Sequence, residues 1–179
     1  CENNKLRKAY VNNGGDIAIY LNHNEVFNIG IITDLKTRAI GGTTAITQID
    51  NINGIATSGR HGRSHSLGIA DAVTVLAKNS AQADAAATLI ANAVDVQDTT
   101  LVKKIPANEL YPDSDLTDQL VTVDVAKLPK KLAERAVAQG CDRAVDYINR
   151  GLITAATISL QGIVEVVGSR HILTQKGPK

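Results

Sequence analysis

The stretch ADAVTVLAKNSAQADAAATLIANAV, residues 70–94, decides the fold class. Ala70 to Ala77 is apolar and β-branched, the pattern of a short buried strand. Ser80 stands where an N-cap belongs, and Ala81 to Val94 is alanine-rich with no breaker, the composition of a helix. A buried strand leading directly into such a helix implies a sheet with a helix packed on it.

Toward the N-terminus the chain reads as strands. Ala9 to Asn12 leads into a turn at Asn13-Gly14-Gly15-Asp16, and Ile17 to Leu21 continues as a strand. His23-Asn24 reads as a hairpin-like turn, with Glu25 to Ile32 as the return strand. Gly41-Gly42 opens a strand from Thr43 to Ile49, Asn51 to Gly54 turns, and Ile55 to Ser58 runs into the polar loop Gly59 to Gly68. Toward the C-terminus, residues 95–118 read as an irregular connection carrying Pro106, Pro112 and the acidic turn Asp113-Ser114-Asp115. Gln119 to Val125 reads as a strand, and Lys130 to about Asn149 as a helix with Gly140 as a candidate break. Leu152 to Val167 is a strand pair or one long bent strand, interrupted at Gln161-Gly162, and Gln175 to Lys179 is a loose polar tail. Hairpins with irregularly spaced helices indicate a mixed α+β fold rather than a doubly wound parallel sheet, in a single domain over residues 1–179.

Composition narrows the function. Net charge is +1 and the isoelectric point about 8.0, so no general field draws in DNA or anionic lipid. Aromatic residues make up 3%, too few for the stacking platforms of a single-strand nucleic-acid groove. No apolar run approaches the roughly 18 residues of a membrane span. Nucleic acid and membrane are therefore not expected as partners; a small-molecule nucleotide or anion is, and a homo-oligomer stays open. The two cysteines, Cys1 and Cys141, fit a reducing, cytoplasmic setting better than a disulfide scaffold. The chain has no methionine and opens on Cys1, so the expectation is a processed or trimmed front, with any earlier segment or signal peptide outside the sequence. Cys1 with its own amine as base is a nucleophile in principle, and a chance cleavage point is the plainer reading. Cys141 beside Gly140 reads as a small packing residue.

Four places carry candidate chemistry. Paired glycines in Asn13-Gly14-Gly15-Asp16 let backbone N–H groups approach a phosphate, while Asp16 suits a ribose hydroxyl or a cation; the same residues also make an ordinary capped turn. The loop after Ala56 gathers Thr57, Ser58, Arg60, His61, Arg63, Ser64, His65 and Ser66 around glycines, which suits a diphosphate or, more plainly, a solvated loop. Asp84 and Thr88 lie at i and i+4 on one helix face, oxygen donors for a hard cation, although an aspartate in a first turn also favours the helix dipole. Asp113, Asp115 and Asp118 lack calcium-loop spacing and read as surface. Neither a catalytic serine–histidine–aspartate order nor zinc spacing appears.

The order Gly14-Gly15-Asp16, Ile29-Gly30-Ile31, Ala56-Thr57-Ser58-Gly59, Val73-Thr74-Val75 and Ala83-Asp84-Ala85 with Thr88 resembles the ApbE family. Its members are magnesium-dependent FAD:protein FMN transferases, once described as thiamine-biosynthesis lipoproteins. The resemblance is closest to an uncharacterised ApbE-like branch, in which VNNGGDIAI (11–19) and SLGIADAVTVLA (66–77) are typical; PDSDL (112–116) and GLITAATISLQG (151–162) also look like it. It implies a T-fold-related mixed sheet with packed helices, lacking its N-terminal segment. It further implies Mg2+ on Asp84 and Thr88, and FAD or a related flavin nucleotide at Asn13, Gly14, Gly15, Asp16, Thr57, Ser58, Gly59, Arg60 and Arg63. His65 falls at the place of the family's catalytic histidine. The Asp-Pro and Thr-Gly loop that follows that histidine in the transferases is absent, since His65 is followed by Ser66-Leu67-Gly68-Ile69-Ala70-Asp71. The resemblance therefore implies flavin-nucleotide or diphosphate binding with Mg2+. FMN-transferase chemistry stays open, beside a non-transferase relative that takes another small anionic metabolite in cofactor or sulfur metabolism.

Overall fold

All six residues of Ala72–Ala77 are buried in a strand, as their mostly apolar, β-branched run suggests. The computed structural model describes residues 6–34, 39–62, 64–168 and 174–175. Cys1 and residues 176–179 of the polar tail lie outside the described residues. The central sheet joins β1 (Lys8–Asn13), β2 (Asp16–Leu21), β5 (Gly54–Ser58), β6 (Ala72–Ala77), β9 (Ala155–Leu160) and β10 (Ile163–Gly168) in that spatial order. Every neighbouring pair in it is antiparallel. A second sheet pairs β3 (Val26–Asp34) with β4 (Ala39–Thr47), and β11 (Thr174–Gln175) lies along β4. The helices are α1 (Ser80–Ala93), α2 (Ala107–Leu110) and α3 (Lys130–Asn149), and β7 (Val102–Pro106) pairs with β8 (Leu120–Val125). The fold is α+β, as the sequence indicates.

The two faces of the central sheet bury different partners. Val73, Val75 and Ala77 of β6 join Ile158, Leu160, Ile90 and Val137 in a core beneath α1 and α3. Leu76, on the opposite face, joins Ile19, Leu21, Ile31, Ile46 and Ile55 beneath the β3–β4 sheet. Alternate residues of one strand thus serve two cores, and each fully buried Ile or Leu contributes about 1.5–3 kcal/mol.

Several expectations need correction. Asn79, not Ser80, caps α1: its side chain accepts the Gln82 N–H at 2.8 Å. Asp84 consequently lies beyond the first turn of that helix, so a helix-dipole role does not explain it. β2 and β3 do not form a hairpin. β3 instead pairs with β4, while β2 lies between β1 and β5. The alternating pattern identifies a strand but not its partner. Residues 95–118 are not wholly irregular, because they contain β7 and α2.

Gly140 does not break α3. It faces α1, where a Cβ on residue 140 would come within 2.5 Å of Val94 Cγ2. Gly140→Leu should therefore destabilise the protein by about 1–3 kcal/mol in urea unfolding, the usual cost of overpacking. Adding Val94→Ala should recover part of that loss. A Gly140→Leu variant as stable as the parent would contradict the close helix approach.

Cys141 lies on the same helix, half-buried and packed against the helix-side core. Burial pushes its thiol up to about 11, reinforced by the negative charges of Glu165 and Asp142. At pH 8 the thiolate is then on the order of one in a thousand, about a hundredfold below a thiol of ordinary pKa 9.0. Alkylation of Cys141 followed by mass spectrometry should be slow at pH 8, rise about tenfold per pH unit toward pH 10, and become rapid on unfolding. Rapid modification of the native protein at pH 7 would overturn this.

Candidate functional site: a cleft where two strands part

β2 and β5 pair only at Ile17↔Ile55 and Ala18↔Gly54, although β5 runs on to Ser58 in full register with β6. The ladder ends there because β2 turns back into β1 at Gly14-Gly15, which leaves the end of β5 without a ladder partner on that edge. The β1–β2 hairpin closes over Gly14-Gly15, with Asn13 opposite Asp16. Its glycines have φ of 68° and 125°, the left-handed region that a two-residue hairpin loop demands. Asn12 Oδ1 accepts the Gly15 N–H at 3.0 Å and holds the turn. The gap opens into a cleft of about 830 Å³, within the range of small-ligand sites.

Strand alternation sorts the lining into two sides. Ile17, Ile55, Thr57 and Thr74 lie on the face toward the β3–β4 sheet, and β3 adds Ile29, Gly30 and Ile32. Asp16 and Ser58 lie on the opposite face, where α1 adds Asp84 and Thr88. The first side is largely apolar and carries Tyr10, the Asn12 amide and the Thr57 and Thr74 hydroxyls, the last two 2.9 Å apart. The other side is rich in oxygen.

The loop after β5 is pinned from behind. Gly59, at φ 151°, packs so closely that a Cβ would lie 2.6 Å from the Asp71 carbonyl oxygen. The Arg60 N–H donates to the Ala70 carbonyl at 2.9 Å. The Arg60 guanidinium donates to Asp71 Oδ1 through Nε at 2.9 Å and pairs with it at 2.8 Å through its terminal nitrogen. Asp71 Oδ2 in turn accepts the Gln161 N–H of the β9–β10 turn. His61 Nε2 is 3.7 Å from Asp71 Oδ1, and the residue lines the cleft.

Eight sequence-predicted site residues come together here: Gly14, Gly15, Asp16, Thr57, Ser58, Gly59, Asp84 and Thr88 all line the one cleft. Asn13, Arg60 and His65 do not line it; Asn12 lines it in place of Asn13, and Arg63 lies outside the described residues. Arg60 is committed to Asp71, and the His65 ring packs against Tyr111 with centroids 5.2 Å apart. His61 and Ser64, candidates in the same loop, line the cleft with Gly62, while the end of the loop belongs to another junction. Asn92 Oδ1 accepts the Leu67 N–H, and Lys104 Nζ donates to the Leu67 carbonyl and to Asp95, each at 2.7 Å. Thr74, Tyr10 and the β3 residues were not among the candidates. Thr74 follows from its cross-strand position opposite Thr57, which the sequence does not display.

Among the described lining residues the acidic side chains are Asp16 and Asp84, and none is a lysine or arginine. The exposed Asp84 carboxylate suits a cation or a cation-bridged anion. Asp84 and Thr88 offer hard oxygen donors, the type that Mg2+ takes while keeping several positions for water and ligand oxygens. Among the described residues no group of three or more His, Cys, Asp or Glu side chains is placed to hold a metal. Asp113, Asp115 and Asp118 are exposed, as expected. No helix among the described residues is long and apolar enough to cross a membrane.

Comparison with known proteins agrees with the resemblance in its coarser form. The family model described as AbpE bacteria matches residues 1–166. A UPF0280 protein of Methanobrevibacter smithii is 35% identical over 133 residues, 70% of this chain and 55% of that protein. UPF0280 proteins of Methanocaldococcus jannaschii and Methanoculleus marisnigri are 40% identical over 93 residues and 41% over 97, covering 51% and 54% of this chain. Those matches take in 38% and 39% of the two relatives, so the chain spans between about a third and about half of the curated relatives' length. With the family model covering nearly all of its length, the chain belongs to the AbpE bacteria family, related to ApbE.

Proposed function

We propose that the cleft binds a flavin nucleotide, or a related diphosphate carrying a planar ring, together with Mg2+. One observation carries this reading: an apolar side toward β3 and an oxygen-rich side toward α1 meet in a single cleft through the gap between β2 and β5. A ligand that fills both sides needs a charged half and a flat apolar half, joined by a thin linker. The Gly14-Gly15 turn lies beside the Thr57 carbonyl, which a Cβ on residue 15 would meet in ordinary van der Waals contact at 3.8 Å, so the turn borders the place where the two sides join.

Electrostatics assigns the ends. A bare diphosphate beside Asp84 is repelled, and Mg2+ held by the Asp84 carboxylate and the Thr88 hydroxyl would seat it. Bound there, the ion offsets phosphate charge and polarises the diphosphate as a Lewis acid. Ser58 and Thr88 offer hydroxyl donors on the α1 side. Ile17, Ile29, Ile32 and Ile55 exclude water from the ring.

Binding, rather than FMN transfer to a protein, is the activity we assign. Transfer requires an acceptor hydroxyl aligned with the phosphorus, and such alignment supplies about 7–11 kcal/mol. The transferase loop after the family histidine is missing, and His65 lies against Tyr111 rather than in the cleft.

Titration with FAD in Mg2+ and in EDTA tests the reading. Flavin fluorescence should report saturable binding that weakens at least about tenfold when Mg2+ is removed. Asp84→Asn should abolish that Mg2+ dependence while leaving urea stability within about 0.5 kcal/mol of the parent, as for an exposed surface residue. Equal affinity in EDTA would contradict the cation bridge. Pyrophosphate binding as tightly as FAD would support the other reading, a small anionic metabolite that leaves the β3 side unused. Covalent flavin on an added acceptor protein would restore transfer.

A further inference from the structure

Three hydroxyls stand in line across the middle of the central sheet. Thr57 of β5 is opposite Thr74 of β6, and Thr74 is opposite Thr157 of β9. Cross-strand partners share a face, so all three project toward β3 and β4, among Ile55, Leu76 and Ala155. Threonines in such surroundings carry a cost that a valine would avoid, because a buried hydroxyl without a partner loses about 1–3 kcal/mol.

Thr74 and Thr157 are each 4% exposed. Thr57 and Thr74 hydrogen-bond to each other at 2.9 Å and both line the cleft. Thr157 Oγ1 is buried and has no hydrogen-bond partner among the described residues. A hydroxyl donates one hydrogen and accepts through two lone pairs. In the Thr57–Thr74 pair one O–H is spent on the mutual bond, and the other remains free to donate. The accepting lone pairs of the pair are likewise incompletely used. Since the pair reverses by rotating two hydroxyls, it meets either a carbonyl or an N–H.

We propose that the Thr57–Thr74 pair is the polar subsite that reads the hydrogen-bonding edge of the ligand's ring, and that Thr74 is a specificity-determining residue. This deepens the flavin-nucleotide reading and rests on it. The ring class it selects is a planar heterocycle with an amide- or imide-like edge: the flat faces meet isoleucines, and the edge meets hydroxyls. A purely hydrocarbon ring would leave the pair unsatisfied. A purely ionic ligand would not reach it. The open O–H also continues the line toward Thr157, whose unpartnered oxygen is served by an ordered water once the ring edge closes the cleft.

The test compares Thr74→Val, which keeps shape and removes the hydroxyl, with Thr74→Ser, which keeps the hydroxyl. Each is titrated by calorimetry with FAD, FMN and ADP in Mg2+, and urea unfolding is recorded alongside. Thr74→Val should weaken FAD and FMN about five- to twentyfold, the scale of one lost hydrogen bond in a buried site. ADP should bind Thr74→Val as it binds the parent, because its diphosphate sits on the α1 side. Thr74→Ser should restore FAD binding to within about threefold. Unchanged FAD affinity in Thr74→Val would overturn the subsite, as would an equal loss for FAD and ADP. If Thr74→Val fails to fold, Thr57→Val carries the same test, since its side chain is less buried. If the parent binds none of the three nucleotides, the flavin-nucleotide reading itself falls, and the subsite with it.

Discussion

The site depends on how little β2 and β5 share. Two residue pairs, Ile17↔Ile55 and Ala18↔Gly54, with the Ile19 N–H on the Asn53 carbonyl, keep the six-stranded sheet continuous. The ladder ends where β2 turns back at Gly14-Gly15, while β5 runs on to Ser58 along β6. The cleft at that turn joins a largely apolar layer under β3 to a polar layer beside α1, and a sheet otherwise keeps such layers apart. The Gly14-Gly15 hairpin makes this tolerable, because it ends the ladder on a tight turn held by Asn12 instead of leaving a long exposed edge.

Asp71 supports the other wall. It is 8% exposed, and its two oxygens hold Arg60 and the β9–β10 turn at once. A buried carboxylate is tolerable only when paired and hydrogen-bonded, and this one is both. The consequence for function is a division of labour within a single loop. Arg60 spends its charge on the scaffold and fixes Gly59, while Ser58 and His61 remain on the cleft. The described lining of the cleft thus carries acid and hydroxyl groups.

Much of this could be read in the sequence, and the reasons for the remainder are physical. Ala72–Ala77 and the alanine-rich helix after it declare themselves by composition, and Lys130–Asn149 declares itself by its helical period. The Gly14-Gly15 turn, the Thr57-Ser58-Gly59 segment and the Asp84/Thr88 pair are local patterns, and the fold gathers all three. Strand partnership is not local. His23-Asn24 looks like a hairpin turn, yet β3 crosses to another sheet, and with it go Ile29, Gly30 and Ile32, which no spacing could assign to the cleft. Arg60 illustrates the same limit in electrostatics: a basic loop reads as an anion site until its buried partner Asp71, eleven residues later, is seen. Gly140 looked like a break because propensity disfavours glycine in a helix, and close packing against Val94 overrides that preference.

The central claim is that one ligand occupies both faces of the sheet through the gap between β2 and β5. Amide-resolved NMR of the 18.9 kDa protein, titrated with FAD in Mg2+, addresses it directly. The account predicts shifts at saturation on both sides together: Asp16, Ser58 and Thr88 toward the helix, and Ile17, Ile29 and Thr74 toward β3. Shifts confined to one of those two groups, or lying on neither, would contradict it.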